Sequence, residues 1–440
     1  MKKAIVVGSG LAGLTAAYRL KQAGWQVKVL EKTDHIGGRV VTVRKNGYLL
    51  DGCATSTSSA YVDYIALVKE LGLGDKYREA SNIFGIVRNR ELFLVNGLTP
   101  VRSFIGTQFM SWPEKIRFLR GAMKLKKYSA DAVLADPGES VKHDHLSIDQ
   151  VARDCFGDAL IDTLMDPIMR IVTFGDVRTT TSVELFTGII NASGKYMNLI
   201  GGLETLPLTL AKHVAVALDS PVHQVEKRNG KVEVNFSDDT RGGASMTETV
   251  DACVITSTFP QAVAMCPQLG IDGPALAKNH EFADSYLVYL GYAAMTKNNP
   301  AAIALPRTEF PNNAAIFLDH NKASDRAPKG HSSFLMYYCP EAVPMVKTWP
   351  EKKLIEDACS VIEGFFPEVK GHLDMSHIKY APYGSHLAPP GHFKSVQEFF
   401  ANHVDSEPIQ IAGDYLSLPS QETAVGWGNR AARKIIANQK

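Results

Sequence analysis

Ala4-Ile5-Val6-Val7-Gly8-Ser9-Gly10-Leu11-Ala12-Gly13-Leu14, followed by Gln26-Val27-Lys28-Val29-Leu30-Glu31, is the stretch on which the reading of this chain turns. Ala4 to Val7 is a short apolar run of the kind that forms a buried strand. Leu14, Ala17 and Leu20 then mark one face of a helix, and Gln26 to Leu30 is a second strand ending on an acid. The β-α-β unit carries GxGxxG in its first turn. Gly8 permits the tight turn, Gly10 lets the backbone approach a pyrophosphate, and Gly13 lets helix and strand pack closely. The start of the helix, at Leu11 and Ala12, offers free N–H groups and partial positive charge to phosphates. Glu31 can accept the ribose hydroxyls of an adenosine and would repel a 2′-phosphate. A lone GxGxxG is weak; strand, helix, second strand and acidic end together make a packing accident improbable.

The rest of the composition is compatible with an enzyme. Of the 440 residues 45% are hydrophobic and 21% charged, the balance of a globular chain long enough for two to three domains. A net charge of +1 argues against a nucleic-acid partner. Cys53, Cys155, Cys253, Cys266, Cys339 and Cys359 lie far apart without a CxxC pair, which points to a reducing, cytoplasmic setting. The apolar run after Met1-Lys2-Lys3 breaks at Gly8 and is too short for a signal peptide. No stretch has the roughly 18 apolar residues of a membrane span. His143 and His145 flank Asp144 without metal-ligand spacing, and no metal is expected.

Glu31-Lys32-Thr33-Asp34-His35-Ile36-Gly37-Gly38-Arg39 resembles the extension found in flavoproteins of the monoamine oxidase, protoporphyrinogen oxidase and phytoene desaturase superfamily. The resemblance implies FAD. Gly37 and Gly38 would let the backbone meet the pyrophosphate a second time, and Arg39 would pair with it. Gly52-Cys53 is similar to the place where the family's backbone runs beside the isoalloxazine ring. Val222, in Pro221-Val222, is either the family's adenine-packing valine or a plain strand valine. Ile411-Ala412-Gly413-Asp414 followed by Gln421-Glu422-Thr423-Ala424-Val425-Gly426 resembles the family's C-terminal flavin motif. There Asp414 would bind a ribityl hydroxyl, and the helix start at Thr423, Ala424 and Val425 would turn positive dipole toward N1 and O2. Thr423 and Trp427 depart from the glycine and serine most often found there. No cysteine lies in residues 380–392, so the FAD is expected to be non-covalent.

The expected fold is α/β: a discontinuous Rossmann-type FAD domain with an inserted α+β substrate domain. The FAD domain would take residues 1–75, 196–269 and 403–440, and the substrate domain 76–195 and 270–402. The first insertion reads as mostly helical and the second as a mixed sheet. With one GxGxxG there is no separate NAD(P)H site, so electrons would leave for oxygen or a quinone.

The resemblance implies hydride transfer from a substrate carbon to flavin N5. Many amine oxidases of the family carry a lysine on a strand that corresponds to Phe282 to Met295, which has none here. The position of their cage tyrosine corresponds to Ser420. Both departures favour C–C or ring dehydrogenation of a hydrophobic small molecule. Amine oxidation and a redox-neutral flavin isomerase remain alternatives, as does a flavin-free binding protein on the same fold. The catalytic group is not identified; Tyr286, Tyr289, Tyr337, Tyr338, Tyr383 and His386 are candidates to face the flavin. His386 is either a base beside a carbonyl or a solvated loop histidine. Phe104 to Lys127 mixes apolar and basic residues. It is either a cap helix with a solvated face, or a contact for an anionic membrane or an acidic lipophilic substrate. Oligomeric state is not legible.

Overall fold

The computed structural model describes residues 1–438 apart from 131, 133, 135, 137, 239, 241, 279, 299 and 404–406. Its first sheet has five parallel strands in the order Ala215–Ala217, β2 (Gln26–Leu30), β1 (Lys3–Val7), Ala252–Ile255 and Ile409–Ile411. Parallel strands are covered on both faces, and Ala4 to Val7 are accordingly all buried. Helix α1 (Leu11–Gln22) covers the sheet with Leu11, Leu14, Ala17 and Leu20.

The chain then leaves this layer. Helix α2 (Asp63–Glu70) still packs in the first core, through Tyr64, Leu67 and Val68. Helices follow from Pro100 to Ser193, among them α3 (Trp112–Tyr128). The stretch expected to be one amphipathic element, Phe104 to Lys127, is two helices. Residues 107–111 separate them, and Glu114 closes the start of α3 by accepting from the Ser111 N–H and hydroxyl, at 2.8 and 2.7 Å. A separate three-stranded sheet follows, in which Ala244–Val250 joins the hairpin of Val222–Arg228 and Lys231–Asp238.

The second main sheet has seven strands. Its order is β5 (Leu373–Leu387), β3 (Glu281–Tyr292), β4 (Ser332–Tyr338), Asn313–Leu318, Ala302–Ala304, Ile83–Arg88 and Glu91–Asn96. The hairpin of residues 83–96, contributed by the otherwise helical first insertion, therefore forms the far edge of a sheet built mostly from the second. Leu287 stands opposite Lys379 on β5 and Tyr337 on β4, and Tyr289 opposite His377 and Leu335. Side chains alternate along a strand, so these residues share one face. Tyr286, Val288 and Tyr338 lie on the other, against helix α4 (Glu351–Phe365), where the Tyr338 hydroxyl donates to Asp357 Oδ2 at 2.7 Å.

Helix α5 (Gln421–Ala437) returns to the first layer and packs on α1. Their approach depends on Gly428, where a Cβ would stand 2.4 Å from the Ala12 carbonyl oxygen.

Candidate functional site

The turn between β1 and α1 is built around its glycines. Gly8 has φ +101°, a left-handed conformation, and its N–H donates to the Leu30 carbonyl at 2.8 Å. A Cβ on Gly13 would lie 2.1 Å from the Gly8 oxygen, so helix and turn meet only because that side chain is missing. A Cβ on Gly10 would meet nothing within 4 Å. That residue faces open space at the head of α1. The N–H groups of Leu11, Ala12 and Gly13, in the first turn, have no carbonyl four residues back inside the helix. Space, donors and dipole coincide there, as a diphosphate requires.

The second glycine loop folds onto the first. Gly37 N–H donates to the Ser9 carbonyl at 3.1 Å, and a Cβ on Gly38 would lie 3.4 Å from Gly10 Cα. Arg39 next in sequence reaches across the molecule to Asp414, Nη2 to Oδ1 at 2.5 Å. It thereby joins residues near opposite ends of the chain.

Glu31 is buried, and its carboxylate accepts from Ser9 N–H and hydroxyl on one oxygen and from Thr33 N–H and hydroxyl on the other. Its four acceptor positions are thus filled from within; the two hydroxyls are the donors that ribose hydroxyls could replace. Lys32 is exposed on the same loop. The segment before Val222 runs alongside: Ser220 N–H donates to the Glu31 carbonyl at 2.7 Å, and half-buried Val222 pairs with Phe236.

Gly413 and buried Asp414 follow the last parallel strand, and α5 begins after them. Ser420 caps α5, its hydroxyl accepting from Thr423 N–H at 3.1 Å. The Ala424 N–H is spent on the Ser420 carbonyl, and Val425 lies one residue deeper in the helix. The free donors at this terminus are therefore those of Gln421 and Glu422, ahead of the Ala424 and Val425 groups singled out from sequence. The Glu422 carboxylate, 3% exposed, accepts from Val62, Asp63 and Tyr64 N–H at 2.8 to 2.9 Å and so anchors the N-terminus of α2.

The loop through Gly52 and Cys53 is clamped from several sides. Tyr289 OH donates to the Asp51 carbonyl at 2.6 Å, and Tyr337 OH to that of Cys53 at 3.0 Å. Asp51 itself is buried against Arg326, with Nη2 and Oδ2 2.9 Å apart and neither residue above 2% exposed. Thr42 hydroxyl and Leu203 N–H also donate to the Asp51 carboxylate. Arg326 further donates to Asn198 Oδ1 and the Leu199 carbonyl. Burial holds the Asp51 carboxyl above its ordinary value against the opposing pull of Arg326. Burial likewise pushes the Cys53 thiol up despite Lys379 and Arg39, which leaves little thiolate for nucleophilic chemistry.

The sheet face over this loop carries Leu287, Tyr289, Tyr337, His377 and Lys379. Phe174 packs edge-on against Tyr337, ring centres 4.8 Å apart. Phe174 has φ +59°, an outlier for a bulky residue. Of the sequence candidates, Tyr289 and Tyr337 lie here, whereas Tyr286 and Tyr338 face away and Tyr383 is 44% exposed beside Phe282. His386, expected either as a base or as a solvated loop residue, is fully buried, and among the described residues neither ring nitrogen has a hydrogen-bond partner. It clusters with His280 and His392, ring centres 4.7 to 6.0 Å apart. Burial lowers all three imidazoles, His280 to about 3 and His392 to about 4. A neutral imidazole so reluctant to charge is a poor base. Among the described residues no group of three or more His, Cys, Asp or Glu is placed to hold a metal.

Arg326 and Lys379 were not singled out from sequence. Arg326 sits in a polar loop, Lys322 to Arg326, that reads as surface. Lys379 belongs to the strand adjoining the one examined for a lysine, and only the β3–β5 register reveals it.

A family model described as flavin containing amine oxidoreductase matches residues 11–436. The chain is 25% identical over 279 residues to protoporphyrinogen oxidase 2, chloroplastic/mitochondrial, of Arabidopsis thaliana, covering 54% of this chain and 53% of that protein. It is 30% identical over 173 residues to coproporphyrinogen III oxidase of Propionibacterium freudenreichii subsp. freudenreichii, covering 38% and 30%. The chain thus spans about half or less of the length of these curated relatives. Cyclohexylamine oxidase from Brevibacterium oxydans IH-35A superposes with a TM-score of 0.80 at 14% identity, over 100% of this chain and 99% of that one. This likeness shows the mixed α/β fold.

Proposed function

The chain belongs to the flavin-containing amine oxidoreductase family and is an FAD-dependent oxidoreductase, and from that premise we propose that it dehydrogenates a C–C or ring C–H bond of a hydrophobic small molecule. Residues 1–75, 196–269 and 403–440 are proposed as the Rossmann-type FAD domain, and 76–195 with 270–402 as the substrate domain. The open space at Gly10 and the free N–H groups of Leu11 to Gly13 fit a dinucleotide diphosphate, while Arg39, next to the second glycine loop, is held by Asp414. Bound FAD supplies a hydride acceptor at N5.

The residues of the chain position and exclude water. The Tyr289 and Tyr337 hydroxyls hold the Asp51 and Cys53 carbonyls, fixing the loop proposed to lie beside the ring. The carrying observation is that same sheet face. With both phenol hydroxyls committed, Leu287, Tyr289 and Tyr337, each 1% exposed, and half-buried Phe174 back the loop with aliphatic and aromatic groups, an apolar lining that supports an apolar ring beside it. Ser420, where amine oxidases of the family have a cage aromatic, is used as a helix cap. Electrons would pass on to oxygen or a quinone.

One observation favours a second reading, amine oxidation. Lys379 is half-buried on the face over Cys53 with no acidic partner among the described residues, so a lysine is available there after all.

The test is anaerobic bleaching of the yellow protein by a panel of amines, cyclic ketones, a porphyrinogen and a polyene. Bleaching by ring or polyene compounds with amines silent is expected. Bleaching by amines alone would replace this proposal with the second reading, and turnover of a substrate in air to an isomeric product, without net consumption of an acceptor, would indicate an isomerase.

A further inference from the structure

Helix α3 buries one side and leaves the opposite side open. At about 100° per residue, with Trp112 at zero, buried Phe118, Gly121 and Leu125 fall near 180° to 240°. On the same scale Trp112, Met123 and Ile116 lie within about 40° of one another on the far side. These three are 72%, 65% and 50% exposed. They form a continuous apolar strip facing solvent.

The flanks of the strip are basic on both sides. Lys115 and Lys126 border one edge, at about −60° to −40°, and Arg120 and Lys127 the other, at about +60° to +80°. None of the four has an acidic partner among the described residues, whereas Lys124 is paired with Asp154 and Glu114 with Arg88. The Lys115 ammonium lies 5.0 Å over the Trp112 ring. Six of the helix's residues are Lys or Arg and one is Glu, in a chain whose total charge is only +1. Leu98 and Val101, at the helix just before, are exposed as well, at 41% and 39%.

A helix capping a core with a solvated outer face has polar residues where this one has Trp112, Ile116 and Met123. An apolar strip bordered by cations on both edges instead matches a helix lying in the plane of a bilayer interface. Its apolar side chains enter the acyl boundary, while the lysine and arginine stems run up to the headgroup phosphates. A second copy of the chain fits poorly. A two-fold contact sets the same patch against itself, opposing Lys115, Arg120, Lys126 and Lys127 to their own equivalents.

We propose that α3 docks the protein peripherally on an anionic lipid surface, with Trp112, Ile116 and Met123 inserted and the flanking cations on the headgroups. The proposal is independent of the substrate assignment. No described helix is long and apolar enough to cross a membrane, so the mode is interfacial.

The test is co-sedimentation of the FAD-loaded protein with vesicles of phosphatidylcholine alone or mixed with phosphatidylglycerol. Binding to the mixed vesicles, weakened by salt, is expected. Arg120→Glu/Lys126→Glu/Lys127→Glu should lower it by a factor of about 100 or more, since each juxtamembrane cation contributes about fivefold. Trp112→Ser/Met123→Ser should lower it too, at unchanged bound flavin and circular dichroism. Lipids brominated in the acyl chain should quench tryptophan fluorescence in wild type and less in Trp112→Ser. Failure to bind mixed vesicles at low salt, equal binding to phosphatidylcholine alone, or indifference to both variants would overturn the proposal. A dimer in sedimentation velocity that Trp112→Ser/Met123→Ser abolishes would assign the strip to a second copy instead.

Discussion

Replacing Arg326 with Met removes the cation from a pair in which neither side chain exceeds 2% exposure. Asp51 would then keep its Thr42 and Leu203 donors but face no countercharge. Breaking a buried pair from one side costs about 3–5 kcal/mol, because a charge is left without compensation. The Asp51 carboxyl is already raised by burial, and losing Arg326 raises it further. A carboxyl raised in the folded state favours its protonated form there. The stability it contributes is present below the unfolded value near 3.9 and is lost as pH rises through the folded one. The deficit of the variant should therefore be small in acid and grow by up to ~1.4 kcal/mol per pH unit toward neutrality. Urea unfolding across that range, for wild type, Arg326→Met, Asp51→Asn and the double variant, measures this directly. Asparagine retains an acceptor for Thr42 and Leu203, so the double variant should recover about 2 kcal/mol relative to the sum of the singles. Additive costs, or a deficit that does not change with pH, would refute the account of Asp51 and Arg326 as one electrostatic unit.

Gly10→Ala and Gly13→Ala should separate cofactor binding from folding. The first adds a methyl group into open space and should fold normally yet retain less FAD, read by absorbance after gel filtration. The second sets a methyl 2.1 Å from a backbone oxygen and should lower the midpoint of thermal unfolding even without FAD. The buried neutral cluster of His280, His386 and His392 should make stability fall as pH drops below about 6.5, since the unfolded chain takes up protons that the folded one refuses. His386→Leu should flatten that slope in pH-dependent urea melts, and an unchanged slope would count against it. Ser420→Ala should cost ~1 kcal/mol through the lost α5 cap, measured by urea unfolding.

The parts of the molecule legible in sequence are those where one local constraint admits one residue. Gly8, Gly13, Gly37 and Gly38 are readable because turns and close packing there exclude side chains. The strand at residues 4–7 is readable because burial on both faces leaves no polar residue in it. The second sheet is harder for the same reason. Its β3 sequence, Ser285-Tyr286-Leu287-Val288-Tyr289-Leu290, lacks alternation, so nothing local shows that Tyr289 rather than Tyr286 faces the loop at Cys53. That choice is made by register with β4 and β5 and by the Asp51 carbonyl that Tyr289 finds. The Arg326–Asp51 pair spans most of the chain, and neither residue carries a local mark of burial. His386 looked polar in a polar neighbourhood; its burial comes from contacts with His280 and His392, over a hundred residues away in the first case.

Because β1 and β2 belong to one sheet with Ile409–Ile411, and α1 lies under α5, the order of synthesis has a consequence for assembly. At about 5–20 residues per second, translation places the first strands outside the ribosome for about 20–80 s before their last partner exists. For that interval Arg39 has no Asp414, and for roughly the last 8–30 s of it the strand Ala252–Ile255, all four residues of which end buried, has no neighbour on one side. An unpaired apolar edge invites foreign strands. The nascent chain is therefore expected to need shielding of that edge until Ile409–Ile411 is made, and flavin capture is expected to follow translation rather than accompany it.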